Sequence, residues 1–307
     1  METQKILITG GKGHIGSALY KELDKRGHEI YISDLMHAAE DNYIRVDVGK
    51  YSQVERLFEK NHFDFVYHLA AEFGRWNGED YYENLWQTNV IGTKNIIRLQ
   101  EKKKFNMIFT SSSEIYGDYS GVMSEEVPTK IPILQMNDYA MTKWVNEMQI
   151  INSMSSFGTE TVRLRLFNTY GPGEFYSRYR SAICLFIYRA LHNLPYTVYT
   201  KHQRTSSYIE DTARTIANVV DNFKTGEVYN IAGDELHDMK TASDYILNYL
   251  EIEDNIVTYK ETEKETTINK LVDASKAKND LGLKTTINLE DGIKKTINWQ
   301  KSIYDIN

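Results

Sequence analysis

A short apolar run, Lys5–Thr9, passes straight into Gly10-Gly11-Lys12-Gly13-His14-Ile15-Gly16, and a helical pattern follows as far as Arg26. No other stretch limits the fold so sharply. Glycines at positions 10, 13 and 16 allow a tight turn, close approach of a bound pyrophosphate, and close packing of helix on strand. The free N–H groups and partial positive charge of the helix start then face that anion. Here the backbone of His14 and Ile15 counts for more than the His14 ring. The next β-rich run ends at Asp34, about 20 residues past the turn, where a carboxylate accepts hydrogen bonds from an adenosine ribose. A carboxylate there repels a 2′-phosphate, and no Arg or Lys adjoins Asp34 in the sequence. The expectation is a dinucleotide site for NAD in preference to NADP.

β-rich runs at Lys5–Thr9, Glu29–Ser33, Tyr43–Val46, Phe65–Leu69, Asn106–Ser111 and Thr161–Phe167 alternate with helical patterns near Gly13–Arg26, Ser52–Glu59, Asp80–Glu101 and Asp138–Met154. Such alternation means βαβ units and a parallel sheet covered on both faces. From about Gly171 the pattern is less regular. Helical runs stand at Tyr179–His192, Tyr208–Asn222 and Thr241–Tyr249, with short strands at Tyr196–Thr200, Glu227–Ile231 and Ile256–Lys260. The expected architecture is α/β: a doubly wound, Rossmann-like parallel sheet over 1–170, to which later segments return. A smaller mixed α/β C-terminal substrate lobe, over 171–307, lies above the carboxyl ends of the strands, where such sheets hold their ligands.

Composition narrows the partners. A net charge of −7 argues against broad binding to nucleic acid or anionic membranes. There is no run of ~18 apolar residues to span a bilayer, and METQKILITGG lacks the basic-then-apolar pattern of a secretory signal. The single cysteine, Cys184, excludes an intramolecular disulfide and fits a reducing compartment; its simplest role is as a small buried apolar residue. A cytoplasmic location, without metal, nucleic acid or membrane, is expected.

Tyr139 and Lys143 stand four apart in the helical pattern NDYAMTKWVNEM, so both fall on one helix face. A tyrosine is ordinarily neutral at pH 7, but a neighbouring ammonium and a positive nicotinamide ring both favour its phenolate. Such a group can take the proton of a sugar hydroxyl while hydride leaves the same carbon. Lys143 can also hold the nicotinamide ribose. Before this helix, the strand FNMIFTSSSEIYG ends in a run of three serines, Ser111–Ser113, then Glu114.

Together these segments resemble the extended short-chain dehydrogenases/reductases, and among them the NAD-dependent nucleotide-sugar epimerases and dehydratases. TGGKGHIG matches the family's TGxxGxxG. Asp47-Val48 matches the pair beside adenine, His68-Leu69-Ala70-Ala71 the segment lining the cofactor, and Asn89 the asparagine of the following helix. Counting back from Ile115-Tyr116-Gly117, the resemblance puts Ser112 on the catalytic Ser/Thr, with Ser113 beside it on the substrate side. It puts Glu114 where dehydratases and decarboxylases carry a glutamate, a base near carbon 5 in the dehydratases; a loop carboxylate satisfying backbone N–H groups is the other reading. dTDP-glucose dehydratases have an aspartate where this chain has Ser113. Arg165-Leu166-Phe167-Asn168-Thr169-Tyr170-Gly171 resembles RxxNxYG, which implies Phe167 near the nicotinamide and Asn168 at the substrate's diphosphate. The segment Glu174–Arg180, with Arg178, either stacks a base and neutralises phosphate or is a solvated helix start. Arg204, before Tyr208-Ile209-Glu210-Asp211, resembles the family's diphosphate arginine, although the Gly-x-Gly turn that usually precedes it is missing. Lys270 stands where the family often has arginine.

The resemblance implies oxidation at carbon 4 of a nucleoside-diphosphate sugar, as an epimerase or 4,6-dehydratase-type enzyme. A net 4-dehydrogenase or 4-keto reductase, and a non-catalytic NAD-binding regulator, are the alternatives. It also implies a homodimer joined through the helices carrying Asn89 and Tyr139.

Overall fold

The computed structural model describes residues 2–306. Seven strands form one parallel sheet: β1 (Lys5–Thr9), β2 (Glu29–Asp34), β3 (Tyr43–Arg45), β4 (Phe65–His68), β5 (Asn106–Ser112), β6 (Thr161–Leu166) and β7 (Val228–Ile231). Their spatial order is β3-β2-β1-β4-β5-β6-β7. The winding direction reverses between β1 and β4, and a crevice opens there at the carboxyl ends. The doubly wound expectation holds.

The central strands are buried along almost their whole length, because helices cover both faces. On one face Leu7, Val66, Met107 and Phe109 pack with Val54, Phe58, Ile96 and Ile97 from the helices Tyr51–Lys60 and Gly92–Lys103. On the other, Ile6, Ile8, Tyr67 and Leu164 pack with Leu19 and Leu23 of the helix His14–Lys25. A third apolar cluster is built mainly from residues 170 onward. Helices Ala182–Leu191, Met239–Leu250 and Leu289–Ile303 surround Tyr196 and Val198, whose strand pairs with Val257–Lys260.

Four elements differ from expectation. The run expected at Asp80–Glu101 is divided into Tyr82–Trp86, a π turn at Gln87–Ile91, and Gly92–Lys103. A further short helix, Arg75–Asp80, precedes it. Helices Ser275–Leu281 and Leu289–Ile303 lie in a region where no element was expected.

The helix Asp138–Phe157 is the scaffold of the site. Asn137 caps it, its side chain accepting the Ala140 N–H at 2.8 Å. Gly158, left-handed at φ 61°, ends it. Halfway along, Glu147 is fully buried and takes two bonds from Arg165 of β6, at 3.0 and 2.9 Å, and one from Ser111 of β5 at 2.6 Å. This network fastens the helix to the strand ends that carry the polar residues described next.

Candidate active site

At the switch between β1 and β4 lies a cavity of about 690 Å³. One wall is the glycine turn. Gly13 precedes the first helix with extended backbone, and no side chain bonds the helix start. A Cβ on Gly13 would meet only the Gly10 carbonyl, at 3.2 Å, and would otherwise project into open space. A Cβ on Gly16 would stand 2.4 Å from the same oxygen. Gly16→Ala is therefore expected to push the turn apart, lowering stability by about 1–3 kcal/mol and weakening dinucleotide binding. Thermal melts with and without NAD check this: wild type gains stability from NAD and the variant gains little.

Farther along the cavity, Asp34 is held at the rim by the backbone N–H groups of Lys12, at 3.0 Å, and Leu35, at 2.7 Å. Arg45 stands opposite Asp34 in the sheet register but bonds the Leu35 carbonyl at 2.8 Å, and Lys12 pairs with Glu40. The Asp34 carboxylate, fixed at the rim, repels a 2′-phosphate. Asp47, Val48, Leu69, Ala70 and Ala71 complete the lining. An open helix start, a fixed carboxylate and an apolar slot are the parts that NAD requires, so these residues fit it.

Two residues expected at the cofactor lie elsewhere. Asn89 is in the π turn behind the cavity wall. Its side chain exchanges bonds with the Glu72 backbone, at 2.8 and 3.0 Å, and reaches Thr142 at 3.1 Å. It ties the loop after β4 to the Tyr139 helix. Phe167 is completely buried in the core against Tyr116, because it projects away from the crevice; Leu166 and Asn168 line the cavity instead. His14 does line it, half-buried, with its pKa driven down to about 3 by desolvation and by Arg180.

Ser112, Tyr139 and Lys143 meet at the inner end. Tyr139 is hydrogen-bonded to Ser112. The Lys143 ammonium donates to the Thr110 carbonyl at 2.9 Å and lies 5.8 Å from the centre of the Tyr139 ring. Burial pushes the phenol up to about 12, with the Glu114 charge adding to the rise and the Ser112 bond opposing it. Burial also brings Lys143 down to about 8, against the attraction of Glu147. In this state the tyrosine is a neutral acid, and Lys143 alone does not make it a phenolate.

A second cavity, of about 430 Å³, adjoins the first. Phe73, Ser112, Tyr139, Leu166, Asn168 and Arg180 line both. Asn168 is left-handed at φ 38°, and its buried Oδ1 has no partner among the described residues. Arg204 is buried, donating to the carbonyls of Gln203 and Ile268 at 2.8 Å each. Ser113 and Glu114 are also in this wall. Arg178, expected on substrate, stands at the exposed rim of this cavity and pairs with Asp80 at 2.5 Å. Arg180 takes the inward place: its guanidinium lies 4.0 Å from the centre of the Phe73 ring, and its Nε has no partner among the described residues. Arg75 likewise presents an unpartnered Nε, while its other nitrogens hold Glu263 and the Lys264 carbonyl. The run of basic and aromatic residues before helix Ala182–Leu191 signalled an arginine, but not which one; nothing in the sequence marked Arg75.

The comparisons with known proteins agree with this geometry. The chain is 31% identical over 248 residues to UDP-N-acetyl-alpha-D-glucosaminuronate decarboxylase of Bacillus cytotoxicus, covering 76% of each chain. It is 28% identical over 283 residues to dTDP-glucose 4,6-dehydratase of Salmonella typhimurium, covering 81% of this chain and 77% of that one. Among solved structures, Pal from Bacillus thuringiensis superposes with a TM-score of 0.87 at 27% identity, over 97% of this chain and 99% of that one. UDP-glucose 4-epimerase from Thermotoga maritima, at 23% identity, shares the fold with a TM-score of 0.89 over 98% and 99%. Residues 6–232, which carry the glycine turn, the serine run and the Tyr139–Lys143 helix, match one family along their whole length, and the chain belongs to it: the NAD dependent epimerase/dehydratase family.

Proposed function

We propose that this protein oxidises the hydroxyl at carbon 4 of a nucleoside-diphosphate sugar, using NAD, in an epimerase or 4,6-dehydratase-type reaction. The observation that carries the proposal is the position of Ser112 and Tyr139 on the wall common to both cavities. A group there touches a nicotinamide from one side and a sugar from the other. When bound, NAD accepts a hydride from the sugar carbon and can return it.

Tyr139 takes the hydroxyl proton. Ser112 bridges that hydroxyl and the phenol, and orients both. Lys143, fixed by the Thr110 carbonyl, holds the nicotinamide ribose and adds its charge to that of the oxidised ring. Gly10, Gly13, Gly16 and the backbone of His14 and Ile15 hold the pyrophosphate; Asp34 holds the adenosine ribose; Asp47, Val48, Leu69, Ala70 and Ala71 border the adenine and the nicotinamide. Asn168, Arg180 and Arg204 hold the substrate diphosphate. Arg180 and Arg204 form no ion pair with a carboxylate among the described residues, which leaves their charge for two phosphates. The named relatives act on UDP- and dTDP-sugars, which supports this substrate class.

The division at residue 170 into an NAD-binding part and a substrate lobe belongs to the same proposal. So does a homodimer: Trp86, Val90 and Ile91 form an apolar hollow on one helix, and Met141, Met148 and Ile151 are exposed on the Tyr139 helix. No helix among the described residues is long and apolar enough to cross a membrane, and a cytoplasmic site of action is proposed.

The test is incubation with a panel of nucleotide sugars, followed by NMR and mass spectrometry. Loss of water marks a dehydratase, and an isobaric product an epimerase. NADH that accumulates with a released ketone marks a net dehydrogenase. No change in any sugar, with NAD bound, contradicts the proposal.

A further inference from the structure

The oxidation just described leaves Glu114 without a task. A one-turn 3-10 helix, Ser113–Tyr116, sets Ser113 and Glu114 into the wall of the substrate-side cavity, immediately after Ser112. Lys270 reaches the same spot from far along the chain. Its backbone is fixed on both sides, donating to the Gln203 carbonyl at 3.1 Å and accepting the Thr205 hydroxyl at 2.8 Å. Its side chain is 1% exposed. The ammonium donates to Ser113 Oγ at 3.0 Å and to Glu114 Oε1 at 2.5 Å.

We propose that Lys270 and Glu114 are a second acid–base couple, with Lys270 the proton donor that lets a sugar hydroxyl leave as water. The proposal rests on oxidation at carbon 4, since only a ketone there makes the hydrogen on carbon 5 acidic. Glu114 takes that hydrogen as a proton, and its electron pair forms the bond between carbons 5 and 6. The carbon 6–oxygen bond breaks, and the Lys270 proton, passed through the Ser113 hydroxyl, completes a water molecule. Glu114 is then a neutral acid and Lys270 a neutral amine. Glu114 returns its proton to carbon 5 when carbon 6 takes up the hydride that carbon 4 gave. The proton that Tyr139 took from the carbon 4 hydroxyl replaces the one Lys270 gave, so water is the only loss.

Burial favours this exchange. Desolvation, with Arg204 and Arg75 nearby, lowers the Lys270 pKa, while Lys270 holds the Glu114 carboxyl below its usual range. As the ammonium gives up its proton, the charge that weakened Glu114 as a base disappears. Both charges of a buried pair are extinguished together, which a low-dielectric site prefers. An arginine would keep the ion pair, but its guanidinium does not give up a proton.

The experiment uses NAD-loaded protein in D2O with UDP-glucose, dTDP-glucose and GDP-mannose as probes. Wild type is expected to convert one of them to a product lighter by one water, with solvent deuterium at carbon 5. Lys270→Arg and Lys270→Met are expected to keep the oxidation, read as NADH absorbance in a single turnover. Both should form the dehydrated product at least about 100-fold more slowly. Glu114→Gln should also block deuterium uptake at carbon 5. Dehydration restored by Lys270→Arg to near the wild-type rate would reduce the pair to a structural contact and overturn the proposal. Loss of oxidation and dehydration together in folded Lys270→Arg protein would overturn it too, as would an isobaric product from wild type. Absence of any oxidation in wild type would instead overturn the carbon 4 reading beneath it.

Discussion

Tyr139→Phe is expected to fold, to bind NAD as tightly as wild type, and to oxidise nucleotide sugar about 10²- to 10⁴-fold more slowly. The ring is half-buried in the wall of the cavity, and the substitution removes only the oxygen bonded to Ser112. Packing is kept, and one proton acceptor is lost. The pH profile carries a sharper signature. Without cofactor, burial holds the phenol near 12, so at neutral pH the base is protonated. The oxidised nicotinamide, together with charged Lys143, must bring it down before it can act. Oxidation by wild type should therefore rise with pH as the phenol ionises. The help from Lys143 fades once that group, set near 8, loses its charge. Stopped-flow measurement of NADH formation should show a rising limb in wild type and none in Tyr139→Phe. A variant with the wild-type profile would remove Tyr139 from the reaction.

Glu147→Gln is expected to cost about 3–5 kcal/mol of stability, the range for breaking a buried ion pair from one side. Glu147 is fully buried and faces Arg163 at 3.3 Å, Arg165 at 2.9 Å and Ser111 at 2.6 Å. A neutral amide leaves two guanidinium groups in the interior without a counter-charge, and domains are only marginally stable overall. Exposed pairs such as Lys240–Asp244 are a different case, screened by water and of little weight. Because Arg165 holds the Glu147 carboxyl below its usual range, its contribution to stability is present above the unfolded carboxylate range and disappears as pH falls through the folded value. Thermal melts at neutral and acid pH test both statements. The variant should melt well below wild type at neutral pH, and the gap should narrow in acid. Equal melting at neutral pH would show that the network carries no stability.

Much of this was legible in the sequence, for reasons of locality. The glycine turn, Asp34 and the Tyr139–Lys143 spacing each depend on neighbours within one βα unit, so pattern and geometry coincide. Contacts across the fold were not legible. Lys270 meets Glu114 across 156 residues, and only the folded path of the substrate-side strands brings them together. Phe167 and Leu166 show the limit of motif matching, since one step along the chain reverses a side chain from crevice to core. Arg178 and Arg180 show it again: Asp80 holds the first at the exposed rim of the cavity, and Phe73 receives the second inside it. The helix Leu289–Ile303 carries its own local signals. Asn288 caps it by accepting the Asp291 N–H at 2.8 Å, and Leu289, Ile293 and Ile297 form its buried stripe.

The most direct test follows one hydrogen. A nucleotide sugar that the protein consumes is prepared with deuterium on carbon 4 and mixed with NAD-loaded protein, the reaction is quenched at successive times within a single turnover, and the cofactor is examined by mass spectrometry. Deuterium on the nicotinamide, arriving with wild type and not with Tyr139→Phe, is the result expected. A nicotinamide free of deuterium at every quench time while product forms would contradict oxidation at that carbon and the account built on it.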